Sequence, residues 1–180
     1  MSDAHTSDGD GERRAIIDIL LVIDTVTLLD RHPDAADAAK ATDVPVSVDA
    51  HDCYGLAPDS AALDGVNAAP WRVAVRTGDG LRLRWTPLAM RGEHAVLLQL
   101  SLNDETTLSG LQLHLREHAT RYAPQSGSLQ TPVTRDAPDA FWQADVVGSG
   151  TAALTIDAIV TDRDANVLGR LRWPMRLVVP

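Results

Sequence analysis

The chain has 180 residues, 44% of them hydrophobic and 23% charged, which suits one globular domain with a core of useful size. A formal net charge of −9 excludes a general nucleic-acid binder, because a polyanion is repelled at long range and no Lys/Arg cluster overrides that. The single cysteine, Cys53, excludes an intrachain disulfide, and no apolar run is long enough to span a bilayer as a helix.

Residues 1–14, "MSDAHTSDGDGERR", are acidic and polar and read as a disordered tail. They lack the basic and hydrophobic regions of an export signal, so a soluble cytoplasmic protein is expected, with neither nucleic acid nor membrane as partner. "AIIDILLVID" at 15–24 is β-branched and apolar, as a buried strand is. "TVTLLDRH" at 25–32 reads as a short helix capped by Thr25 and stopped by Pro33. Residues 34–70 are rich in Ala, Asp and Pro and read as a long loop region with one short strand in "VPVSVDA".

Alternation then becomes clear. "WRVAVRT" and "LRLRW", either side of "GDG", read as a β-hairpin. "AVLLQLSL", "LSGLQLHLREH", "FWQADVVG", "TAALTIDAIVTD" and "VLGRLRWPMRLVVP" follow as strands, the last two joined by a hairpin turn at "RDAN". Strands at such spacing predict an all-β fold, a two-sheet antiparallel β-sandwich of immunoglobulin-like or jelly-roll-like kind with one or two short helical turns. A single domain over residues 15–180 is expected.

Four motifs tempt a chemical reading. His114, Glu117 and His118 form H-x-x-E-H, the order of an inverted zinc-peptidase helix. The flanking Leu111, Leu113 and Leu115 have period two, and on a strand the two histidines stand about 13 Å apart, too far to share a metal. Asp162, Asp164 and Asn166 open like a calcium loop, but Val167 stands where that loop needs glycine, so an Asp-rich turn is the plainer reading. Cys53 with His51 nearby reads as an inert thiol, and the locally basic "RLRW" and "RLRWPMR" as solvated sheet faces. No cofactor or metal is expected.

Three segments carry a family resemblance. "IIDILLVIDTVTLL" resembles the opening of the PixA/AidA family of bacterial inclusion-body proteins, where a hydrophobic strand runs into Asp-Thr, here Asp24-Thr25. "VRTGDGLRLRWTPLA" is similar to its central segment, and "IVTDRDANVLGRLRWPMRLVV" to its closing hairpin with Trp followed by Pro. The resemblance implies a compact all-β cytoplasmic protein that accumulates to high level, under quorum-sensing or stationary-phase control. It carries no catalytic residues to this chain.

The expectation is therefore a non-enzymatic protein that associates with itself as a homodimer or higher oligomer, with the apolar "RLVVP" as a candidate pairing strand if it lies at a sheet edge. The alternative is a module for a small molecule or glycan, supported by Trp85 and Trp173 if exposed. A zinc hydrolase ranks third. Candidate ligand-binding residues are Asp24, Thr25, Asp79 and Trp85, each of which also suits a purely structural role at a strand end or turn.

Overall fold

The computed structural model describes residues 14–41, 43–58, 70–89, 92–125 and 127–180. The expected tail lies outside the described residues except for Arg14. The apolar stretch after it forms β1 (Ile16–Ile23), with Ile19, Leu21 and Ile23 on the buried face. Helix α1 (Thr25–Arg31) follows directly, and its cap is Asp24, not Thr25 as expected. The Asp24 carboxylate accepts from the Thr27 amide at 3.1 Å, a free donor of the first turn.

The region expected to be a long loop has regular elements in its described part. It holds α2 (Asp34–Ala41), β2 (Val46–Ser47), a short 3-10 turn (Ala50–Asp52) and β3 (Cys53–Leu56). The alanines of α2 favour helix, and its buried Ala35 packs near Gly169, where a side chain would meet Leu29 at 3.0 Å. Residues 59–69 lie outside the described part.

Next come β4 (Trp71–Arg72), β5 (Gly80–Pro87), β6 (Ala95–Leu102), β7 (Leu108–Gln125), β8 (Ser128–Val146), β9 (Gly150–Thr161) and β10 (Val167–Val179). One sheet runs β3-β1-β5-β8-β7 and the other β2-β10-β9-β6, with β4 also on β10. Their facing sides make one core, including Ile19, Leu21 and Leu83 from the first sheet and Leu98, Ile156, Leu171 and Trp173 from the second. The fold is the expected all-β sandwich, but its sheets are mixed, not antiparallel throughout. β1 runs parallel to β5, and β10 runs parallel to both β2 and β4. Between β1 and β5 the chain visits the other sheet before returning to its starting end, and such a crossover connects parallel strands.

That detour overturns the hairpin expected across "GDG". Trp71, Val73 and Val75 are buried as the alternation required, yet β4 pairs with Leu177 and Val178 of β10 while β5 pairs with β1. Gly78, at φ 97°, turns the chain between sheets instead of between hairpin strands. The closing hairpin is as expected, β9 against β10. However, β10 is an interior strand with Leu177 and Val179 facing the core, so "RLVVP" is not a free edge.

Candidate functional site: a projecting arm and the groove at its root

The 18 residues of β7 and 19 of β8 form an antiparallel pair much longer than the sheet that bears it. β8 meets β5 only from Trp142 to Asp145. Outward from there the two strands pair with each other alone, past Pro124 opposite Pro132 to Gln125 opposite Ser128. Leu115 is 71% exposed and Tyr122 73%, so this arm offers apolar side chains to solvent both near its root and toward its tip.

The root of the arm is firmly built. Phe141 is 1% exposed although it lies outside the main core cluster. His114 stacks on it with ring centroids 5.1 Å apart, and the guanidinium carbons of Arg82, Arg84 and Arg116 lie 4.8–5.3 Å from its centroid. Arg82 and Arg84 of "RLRW", expected as a solvated face, thus sheathe an aromatic ring. Beside them Asp139 accepts from Arg84 at 2.5 Å and Arg121 at 2.7 Å. Burial works to raise the Asp139 pKa, but the two guanidinium groups outweigh it and hold the carboxyl below its ordinary value.

The H-x-x-E-H segment lies within strand β7, as its period-two flanks required. His114 is spent on Phe141, and His118 stands 3.7 Å from Asp136 on the exposed arm.

Where the arm passes the edge of the second sheet it walls a groove of about 450 Å³. Its floor is two rows of outward side chains set by strand register. Leu97, Ile159 and Arg170 lie side by side in one row, and Gln99, Asp157 and Arg172 in the next. Leu113 and Trp142 of the arm form one wall, Asp43 and Pro45 the other. Leu97 is 60% exposed. Arg172 clasps both oxygens of Asp157 at 2.5 and 2.7 Å. Arg170 reaches Asp43 at 3.2 Å and keeps a buried Nε with no acceptor among the described residues.

The four candidate residues do not converge on this groove. Asp24 and Thr25 sit together at the start of α1, where the Thr25 hydroxyl is 2.8 Å from Nδ1 of His94. A separate shallow cavity of about 690 Å³ opens there, lined by Asp24, Asp30, Glu93 and His94 among others. Trp85 stands near the same end of β5 and gives its indole N–H to the Val96 carbonyl at 2.7 Å. Asp79 is at the opposite end, about 20 Å from Trp85 along the strand. It accepts from the amides of Ala15 and Arg76, tying the start of β1 to the turn. In the Asp-rich turn, Asp162 spends its carboxylate on the amides of Asp164 and Asn166 and on the Asn166 side chain. Trp173 is 2% exposed and offers no stacking surface.

With this architecture in view, comparison with known proteins is decisive on family. The profile of PixA, described as inclusion body protein, matches residues 15–179. The chain belongs to that family.

The crystal structure of an inclusion body protein of the PixA family from Burkholderia cenocepacia J2315 superposes with a TM-score of 0.73 at 17% identity, over 95% of this chain and 99% of the other. That likeness gives the shared fold. The solution structure of amebosin, at TM-score 0.25 and 9% identity over 76% of this chain and 99% of that one, carries no argument. No curated protein matches the sequence.

Sequence reasoning missed the groove of this PixA-family chain and the outer half of its arm. Leu97 and Ile159 were visible as apolar residues on the outward phase of their strands, but only the pairing register sets them beside Arg170.

Proposed function

We propose that this inclusion-body-family protein is non-enzymatic and works by associating with itself through the β7–β8 arm. The observation that carries the reading is the arm's isolation. A two-stranded ribbon is marginal on its own in water, and this one presents Leu115 and Tyr122 with no strand on either outer side among the described residues. A partner that covers it removes both costs. Residence in the cytoplasm is supported by the acidic composition and lone cysteine, and quorum-sensing or stationary-phase control by the family resemblance alone.

Light scattering on the full chain tests this. The expected mass is that of a dimer or larger species, falling to the 19.3 kDa monomer when Leu115→Ser and Tyr122→Ser are combined. Both positions are exposed, so the monomer's own stability changes little. A strict monomer at the highest soluble concentration overturns the proposal.

The groove favours a second reading, a site for a small ligand. Its volume of about 450 Å³ and its mix of apolar wall and guanidinium groups suit one. Trp142 in the wall is the reporter. A saturable change in its fluorescence with some member of a glycan and metabolite panel is expected, and a flat response to all of them removes the support.

A further inference from the structure

Every sandwich has edges that invite pairing, and those of this one differ sharply in how they are defended. On the first sheet β3 is four residues long. On the second, β2 and β4 are two residues each. The remaining edge of the second sheet, β6, has two of its carbonyls covered, those of Val96 and Leu98, by the indole N–H groups of Trp85 and Trp142. Short edges and covered edges both resist adventitious strand addition. β7 is 18 residues long, and among the described residues it has neither device.

The arm also has a second open side, along β8, but that side is already taken by β5 at its root, whereas β7 has no strand on its outer side among the described residues. Pro124 and Pro132 are directly opposite in the register. Neither has an N–H to give, so this is a pair whose backbone groups point away from the partner strand. By alternation the outward positions of β8 short of its pairing with β5 are 132, 134, 136, 138 and 140, and two of those five are proline, Pro132 and Pro138. The outward positions of β7 between its bulge at 116–119 and its tip are Thr120, Tyr122 and Pro124, of which only the last lacks a donor.

We infer that the partner of the arm is a second copy of this chain, joined by antiparallel pairing of the two β7 strands about a two-fold axis at Tyr122. The inference rests on the self-association proposed above and gives it a surface and a symmetry. The result is a four-stranded ribbon, β8–β7–β7–β8. Register follows from charge. An axis at Arg121 sets that cation opposite its own copy, which like-charge pairs disfavour. An axis at Thr120 pushes Tyr122 against the bulge. With the axis at Tyr122, Arg121 faces Ala123 of the second copy, Thr120 donates to the Pro124 carbonyl, and the two tyrosines exchange backbone hydrogen bonds and meet ring to ring.

Single cysteines read this geometry directly. A hydrogen-bonded antiparallel pair has Cα atoms about 5.5 Å apart, inside the range a disulfide spans. Native Cys53 is buried and gives no background. Under mild oxidation, Tyr122→Cys is expected to give mostly disulfide-linked dimer, and Thr134→Cys on the outer side of β8 to give almost none.

Because Tyr122→Cys also removes the tyrosine, a mixture of Thr120→Cys and Pro124→Cys proteins provides an independent reading. The mixture should cross-link while neither variant links to itself, their self-distances being several residues of strand. An oligomer by light scattering in which the Thr120 and Pro124 cysteines fail to link, or Thr134→Cys links faster, overturns the β7 pairing and leaves self-association standing. A monomer overturns both.

Discussion

Trp142, at the root of the arm in one sheet, donates its indole N–H to the carbonyl of Leu98 on the edge strand of the other, at 3.1 Å. Trp85 does the same for Val96 at 2.7 Å, two residues earlier on that strand. The pair laces the open side of the sandwich and satisfies two edge carbonyls that have no neighbouring strand among the described residues. Trp142→Phe keeps most of the ring's packing and removes the donor, so it is expected to lower stability by about 1 kcal/mol. Urea unfolding followed by circular dichroism measures it. Trp85→Phe should cost a similar amount, and an unchanged midpoint in both variants would show that the indole bonds contribute nothing net.

How much of this was legible beforehand depends on where each element finds its partners. β9 and β10 have one face on the core and their alternation gave them away locally, while β1 was read from its β-branched apolar run. The parallel pairing of β1 with β5 was not legible, since alternation is the same for either direction and only the path of the intervening chain decides it. "WRVAVRT" shows the limit well: its buried face was read correctly and its partner strand wrongly. The outer arm had no period to detect, because both faces of residues 119–125 and 130–137 are largely in solvent. Asp24 and Thr25 were singled out at a genuine chain corner, whereas the groove's Arg172 and Asp157 lie on different strands and meet only through register.

Asp139 makes the arm's root pH-dependent. Its folded pKa lies below the unfolded value of about 3.9. Its stabilising contribution is therefore fully present above about pH 4 and is lost as pH falls through the folded value, where native and unfolded carboxyls are both protonated. Asp139→Asn should be less stable than the wild type at pH 7, and the gap should narrow as pH drops below 4. Asp104 and Asp162 are also held low, but they are common to both proteins and cancel in the difference. Paired urea titrations from pH 6 downward test this, and a gap that stays constant would show that Asp139 gains nothing from its two arginines.

Cys53 should be silent to thiol reagents while the protein is folded. It is 4% exposed at the start of β3, and desolvation by burial pushes its thiol up to about 12. The reactive thiolate is then negligible at neutral pH. Labelling by a disulfide reagent at pH 8 is expected to follow global unfolding, reaching one equivalent in urea and almost none without it. Prompt labelling of the native protein would mean that the β3 edge opens readily.

Ala165 is the one non-glycine residue with positive φ among those described, at 64° in the turn between β9 and β10. An L-residue there loses roughly 1–2 kcal/mol to contact between Cβ and the carbonyl that follows. The turn holds it in place nonetheless, because Asp162 binds the amides of Asp164 and Asn166 at 2.9 and 2.8 Å and the Asn166 side chain at 2.9 Å. Ala165→Gly releases the strain but gives the unfolded chain more freedom, an offset of about 0.4–1 kcal/mol. The net expectation is a gain of about 0.5–1 kcal/mol in urea unfolding. Ala165→Val, with a branched Cβ in the same conformation, should lose at least as much. If glycine were neutral or destabilising while valine was tolerated, the turn would have to leave φ 64° in solution, and the closing hairpin would owe its register to the long β9–β10 ladder instead of to its turn.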